Sequence, residues 1–255
     1  MNDYLLLKTE CSFIHNEPTK FLKQEEIMIR KVRKAAVIGS GIMGGGIAAL
    51  LAGAGVKVQL LDIVPFNLTD EEKKDKAARN RIVQAGFDGA LKAKPALFYD
   101  KKDAARISIG NLEDDINQLA DCDWIIEVVV ENLKIKQELF AKVEKVRKPG
   151  SIVSSNTSGI PLKEISANFS QEFKEHFMGT HFFNPVRYMH LLELIPGKET
   201  LPEILEFVAT FGEKNLGKGI VWAKDTPNFV GNRIGVQGIG ATANAMVEDG
   251  LTIAE

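Results

Sequence analysis

The chain has 255 residues, 45% of them apolar, with 32 basic against 34 acidic side chains for a formal charge of −2. That length supports one large domain, or a large and a small one, around a real core, and the balanced charge provides no broad basic field for a phosphate backbone, which argues against nucleic acid as a partner. Cys11 and Cys122 lie far apart in sequence and support neither a disulfide framework nor a metal site.

Residues 1–27 are polar, show no clear period, and are expected to be a disordered, dispensable extension ahead of Met28. Within them the apolar patch at Leu5, Leu6 and Leu7 is too short for a signal segment, and Asp3, Glu10 and Glu17 argue against a transit peptide. No run approaches the roughly eighteen apolar residues of a membrane helix. The expectation is a cytoplasmic protein with no membrane partner and buried, reduced cysteine.

From Lys34 onward, short apolar runs alternate with helical patterns, the mark of βαβ units in a doubly wound, mostly parallel α/β sheet. Strands are predicted at 35–39, 56–62, 106–110, 124–130 and 151–156, continuous enough in apolar character to be covered on both faces. Between them fall a helix from Ile42 to Ala54, a long charged segment from Thr69 to about Lys94, and a helix from Leu133 to Val146 ended by Lys148, Pro149 and Gly150. A second tier follows: a short helix after Pro161, strands at 177–183 and 190–195, a helix from Leu201 to Phe211, and a strand at 219–224.

Pro227 cannot continue a ladder and marks a boundary, so 28–225 reads as one domain and 226–255 as the start of a second. The latter is one helix running toward Glu248, in which Gly235, Gly238 and Gly240 lower propensity and permit close packing. Some thirty residues are too few for an independent core, so this second domain is expected to be incomplete.

The first chemical motif is Gly39-Ser40-Gly41-Ile42-Met43-Gly44, set between the first strand and the first helix, with Asp62 closing the next strand. The first glycine permits a tight turn, the second lets the backbone approach a pyrophosphate, and the third lets helix and strand pack closely. Free N–H groups and the positive dipole end of the helix then face the phosphates. Strand, turn, helix, strand and acid in this order predict a Rossmann-type dinucleotide site. Asp62 can accept from both ribose hydroxyls and would repel a 2′-phosphate, so NAD is favoured over NADP.

A second set of polar residues falls at the breaks between apolar strands: Ser158 in SNTSG, His181 opening HFFNP, Glu193 in LLELI and Asn232 in DTPNFVGNR. Asn184-Pro185 turns the chain between the strands of His181 and Glu193, which allows the carboxylate to lie under the imidazole and hold its tautomer. A carboxylate in an apolar strand needs a partner, although a solvent-facing edge position would also satisfy it. His176 and His190 compete for the role of base but flank their strands beside polar residues and read as solvated; His15 lies in the extension. Ser158 and Asn232 can hold an alcohol or carbonyl oxygen, or serve as local caps, Ser158 for the helix after Pro161. Glu131 and Lys136, in ENLKIK, read either as cofactor contacts or as a first-turn acid and an exposed lysine.

The segments KAAVIGSGIMGGGIA, EVVVENLKIKQELF, SNTSG, GTHFFNPVRYMHLLELI and KDTPNFVGNR resemble successive motifs of the L-3-hydroxyacyl-CoA dehydrogenase family. The likeness is greatest to the dehydrogenase part of bacterial fused enzymes that also carry an enoyl-CoA hydratase, and it runs from about Ile29 to the end of the chain. It implies NAD-dependent oxidation of an L-3-hydroxyacyl-CoA to the 3-oxoacyl-CoA, a step of fatty acid beta-oxidation. His181 would be the base, Glu193 its orienting partner, and Ser158 and Asn232 the groups that position the substrate oxygen. Gly39, Gly41, Ile42, Met43, Gly44, Asp62, Glu131, Lys136, Ser158 and Asn184 would contact the cofactor. The resemblance also implies an acyl-CoA partner and a homodimer of the full-length protein formed through a helical second domain.

The sequence departs from the family pattern at Asn228 and Gly231, where a glycine and a larger apolar residue are more usual, and the segment from Pro65 to Asp103 does not align with the family's coenzyme A contacts. Two other readings follow from the residues. One is a hydroxyacid dehydrogenase with a lysine base, which the HFFNP run and its glutamate disfavour. The other is a fragment that binds NAD without turning over substrate.

Overall fold

The computed structural model describes residues 31–252, so the extension expected at 1–27 lies outside the described residues. Eight strands form one sheet: β1 (Lys34–Ile38), β2 (Lys57–Asp62), β3 (Ile107–Asn111), β4 (Trp124–Glu127), β5 (Ile152–Ser155), β6 (Phe177–Phe182), β7 (Leu191–Pro196) and β8 (Gly219–Trp222). Their order is β3-β2-β1-β4-β5-β6-β7-β8. Every neighbouring pair is parallel except β6 and β7.

The helices are α1 (Ile42–Gly53), α2 (Lys76–Arg79), α3 (Arg81–Lys92), α4 (Leu133–Val146), α5 (Leu162–Ile165), α6 (Gln171–Glu175), α7 (Pro202–Leu216) and α8 (Gly231–Glu248). Alternation along β1 shows how the layers are built, because successive side chains of a strand point to opposite faces. Ala35 and Val37 join a core with α1, α3 and α7; Ala36 and Ile38 join one with α4, α5 and α6. In the second core Phe140 meets Phe173 and Phe177 edge-on at 5.8 and 5.3 Å between ring centres. Both faces of the sheet are therefore dry, which explains why its strands read as continuous apolar runs.

The order reverses at β1, which has β2 on one side and β4 on the other. Chains leaving the carboxyl ends of β1 and β4 part in opposite directions and open a crevice, the position where open α/β sheets bind ligands.

Several boundaries differ from the sequence expectation. The charged segment from Thr69 to Lys94 breaks into a 3₁₀ turn (Glu72–Lys74), α2 and α3, with Asp75 accepting from the Ala77 N–H to start α2. The strand expected over 124–130 stops at Glu127, because the next free N–H, that of Val129, turns to the Glu127 side chain. Helix α7 continues past Phe211 to Leu216, a residue that is also buried, and ends where Gly217 takes a left-handed φ of 65°. No residue of α8 is buried, and nothing lies within 4 Å of where a Cβ would stand on Gly235, Gly238 or Gly240. The close packing expected of those three glycines is absent among the described residues.

Among the described residues no helix is long and apolar enough to cross a membrane.

Candidate active site

Gly39 follows β1 with φ 104° and its N–H donates to Leu61 O at 2.7 Å. A Cβ there would stand 2.5 Å from Val128 O, so the loop and the end of β4 approach as closely as only glycine allows. Gly41 caps α1 with no side-chain hydrogen bond, and no acid lies in the first turn. The leading N–H groups of α1 thus face the crevice with their dipole uncompensated, a ready site for a pyrophosphate. Gly44 faces Gly39 O, and Met43 packs on the core. Exposed Ile42 lines, with Gly41, a cavity of about 340 Å³.

Asp62 braces this loop. Its Oδ2 accepts from the Ser40 N–H and from the Ser40 hydroxyl, both at 2.6 Å, and its Oδ1 from the Ile63 N–H at 2.7 Å. A carboxylate offers about four acceptor positions, so capacity remains for a ribose hydroxyl. The donor set, the close approach at Gly39 and the acid at the end of β2 fit NAD.

His181 and Glu193 are register partners across the antiparallel β6–β7 pair. Nδ1 of His181 lies 2.7 Å from Glu193 Oε2. Hydrogen-bond logic then assigns the proton to Nδ1 and leaves Nε2 as the acceptor. The ring is nearly buried, with Phe183 and Phe229 at 4.5 and 5.6 Å. Fully buried Glu193 is satisfied on its other side as well: Oε1 accepts from the N–H groups of Val230 and Gly231, at 3.0 and 2.6 Å. One carboxylate therefore holds the imidazole and the start of α8, and Asn232 follows in the first turn of that helix.

The two departures noted in the last motif are absorbed by this approach to α8. Asn228 sits at φ 63°, a left-handed conformation asparagine tolerates. At Gly231 a Cβ would stand 2.8 Å from the Phe183 ring. Phe229, at φ 45°, is held there by burial of its ring.

Ser158 follows β5 on a half-buried loop and is not the cap of α5. Asp225 fills that role, accepting from the N–H groups of Leu162 and Lys163 at 2.8 and 3.1 Å. That contact lays the 225–229 turn over the Ser158 loop, while Asn156 Oδ1 accepts from the Phe182 N–H at 2.9 Å and ties β5 to β6. The segments of Ser158, His181 and Asn232 thus converge at one end of the sheet. Asn184 is exposed at the turn after β6, which Arg187 and Lys218 pin through Phe98 O and Met189 O at 2.8 and 2.7 Å.

Lys136 is not an exposed lysine. It is 1% accessible, with Nζ 2.7 Å from Glu127 Oε1 and 3.1 Å from Glu131 Oε2. Glu131 in turn accepts from the Thr157 hydroxyl at 2.7 Å, the Ser158 N–H, and the Gly159 N–H at 3.2 Å. Burial pushes the Glu131 carboxyl up, but the Thr157 hydrogen bond, the Lys136 charge and the Ser158 N–H outweigh it and hold it below the usual range. Burial dominates at Glu127, which is pushed above that range despite Lys136, Ser155 and Val129.

Glu127, Asn156, Thr157 and Asp225 were missed from sequence. An acid inside the apolar run WIIEVVV is the same signal that singled out Glu193. His176 also differs from expectation: it is buried, with Nδ1 2.8 Å from Glu172 O. His190 is exposed.

Residues 34–226 match the family described as 3-hydroxyacyl-CoA dehydrogenase, NAD binding domain. The chain belongs to that family. A probable 3-hydroxyacyl-CoA dehydrogenase of Bacillus subtilis is 53% identical over 234 residues, which cover 89% of this chain and 30% of the relative. One from Deinococcus radiodurans is 50% identical, over 88% of this chain and 63% of the relative. The chain therefore spans less than two thirds of the length of these relatives.

A putative fatty acid oxidation complex trifunctional enzyme of Rickettsia felis is 45% identical over 82% of the chain and 28% of its own length. Among solved structures, the (S)-3-hydroxybutyryl-CoA dehydrogenase of Ralstonia eutropha superposes with a TM-score of 0.67 at 30% identity, covering 87% of this chain and 74% of that one. As a member of the 3-hydroxyacyl-CoA dehydrogenase NAD-binding family, the chain has NAD as its cofactor.

Proposed function

We propose that the chain oxidises the 3-hydroxyl of an L-3-hydroxyacyl-CoA to the 3-oxo compound with NAD, as a step of fatty acid beta-oxidation. The observation that carries this reading is the buried His181–Glu193 pair at the edge of an NAD-binding crevice. Nε2 of His181 takes the hydroxyl proton. Glu193 stabilises the imidazolium that forms, and its two N–H donors from α8 keep it fixed while the charge appears. Ser158 and Asn232 hold the reacting oxygen in line with Nε2, and Phe183 and Phe229 exclude water from the ring. Bound NAD supplies the acceptor for the hydride that leaves C3, which balances the proton passed to His181.

Gly39, Gly41, Ile42, Met43, Gly44 and Asp62 form the phosphate and ribose side of the cofactor cradle, and Glu131, Ser158 and Asn184 its nicotinamide side; Lys136, whose ammonium is taken up by Glu127, Glu131 and Val129 O, acts there through Glu131. A homodimer of the full-length protein fits the same reading.

A second reading, a module that binds NAD without turnover, is favoured by one observation: α8 has no buried residue. The two part in one assay. NADH formation from L-3-hydroxybutyryl-CoA is measured for this chain and for His181→Ala, alongside calorimetric titration of NAD. The expected result is turnover that the substitution reduces by about 10²–10⁴, with NAD affinity kept. Parent turnover in His181→Ala would remove His181 from the role of base, and NAD binding with no turnover by either protein would leave the binding module.

A further inference from the structure

We infer that Glu127, a residue outside the cleft, is a positioning residue for the dehydrogenase reaction, setting the Ser158 loop through Lys136 and Glu131. The inference rests on the proposed function for its catalytic consequence and on geometry for the relay itself.

Glu127 closes β4 at 0% accessibility and touches nothing that reacts. Its Oε1 accepts from the Val129 N–H and from Lys136 Nζ, each at 2.7 Å, and its Oε2 from the Ser155 hydroxyl. Lys136 has three donors, and Val129 O at 3.3 Å takes the one that the two carboxylates leave. The ammonium therefore has one position, and Glu131 Oε2 is tied to it. From there Glu131 Oε1 gathers the Thr157 hydroxyl and the N–H groups of Ser158 and Gly159. Three links run from the floor of the sheet to the residue proposed to hold the substrate oxygen.

The cost of this arrangement argues for position over packing. Burying an ammonium and a carboxylate is expensive, and two apolar side chains of similar volume would fill the space as well or better. An apolar pair could not fix the carboxylate of Glu131, whose side chain is 42% exposed and would otherwise turn to solvent. Direct alternatives for holding Glu131 are its own loop contacts, which depend on the carboxylate already being in place.

The test separates the two roles with Glu127→Leu/Lys136→Met, which replaces the buried pair by apolar volume and leaves Glu131 in the chain. Melting temperature, NADH formation from L-3-hydroxybutyryl-CoA at saturating NAD, and amide hydrogen exchange at Ser158 and Gly159 are compared with the parent. The expected outcome is a melting temperature at or above the parent value, about tenfold faster exchange at both amides, and kcat lowered about tenfold with a smaller change in KM. Glu127→Gln keeps the shape and removes the charge; it is read the same way if the double variant melts early.

Parent kcat and parent exchange in a well-folded variant would overturn the relay and leave Glu127 a structural residue. If the parent chain itself gives no NADH, the proposed function fails, and the two amides still decide whether the relay exists.

Discussion

Two fully buried carboxylates of the same sheet have opposite kinds of partner. Glu127 on β4 faces a permanent cation, Lys136, whereas Glu193 on β7 faces an imidazole and two backbone N–H groups. The first pair is complete before any ligand arrives, so it can only hold geometry. The second has room for a charge that appears during reaction, because an imidazole that takes a proton becomes the counter-ion its carboxylate lacks. A static pair and a responsive pair can thus be told apart by what faces the carboxylate, since burial is the same for both.

The largest effect is expected from Glu193→Gln. An amide has one acceptor oxygen, which can serve His181 or the start of α8 but not both. We expect kcat to fall at least about a hundredfold and exchange at the Val230 and Gly231 amides to rise. Parent turnover with unchanged amides would erase the distinction between the two carboxylates.

Lys136→Met sharpens the comparison from the other side. It strands Glu127 with no cation in a dry site, and urea denaturation should show a loss of about 3–5 kcal/mol. A variant as stable as the parent would mean that the Glu127 carboxyl is already neutral.

The smallest effect concerns pH. The Glu131 carboxyl lies below its ordinary value of 4.5 in the folded chain. Its contribution to loop order is therefore complete above that value and lost only as pH falls through the lower, folded one. Glu127 runs the other way: raised by burial, it takes up its proton earlier on the same descent. An acid titration followed at the Ser158 and Val129 amides should show Val129 responding at the higher pH. Responses in the reverse order would contradict the assignment.

Much of the site was legible because its signals are local. Gly39-Ser40-Gly41 needs only a backbone conformation and a following helix, and His181 with Glu193 needs only two strands joined by a proline turn. The reading failed where a partner comes from another element. Lys136 read as either a cofactor contact or an exposed lysine, and neither reading foresaw Glu127 beside it on the preceding strand. For Ser158 the sequence left a cap of α5 and a substrate contact both open, and only Asp225, far along the chain, removed the cap.

The sequence by itself determined the sheet class, the cofactor loop and the family, since periodicity, glycine spacing and turn residues act within a few positions of one another. Only the tertiary structure decided that Glu193 is shared between His181 and α8, and that Glu127 reaches Ser158 through Lys136 and Glu131. Satisfying a buried polar group is a property of the space around it, and that space is filled by residues the chain brings in from elsewhere.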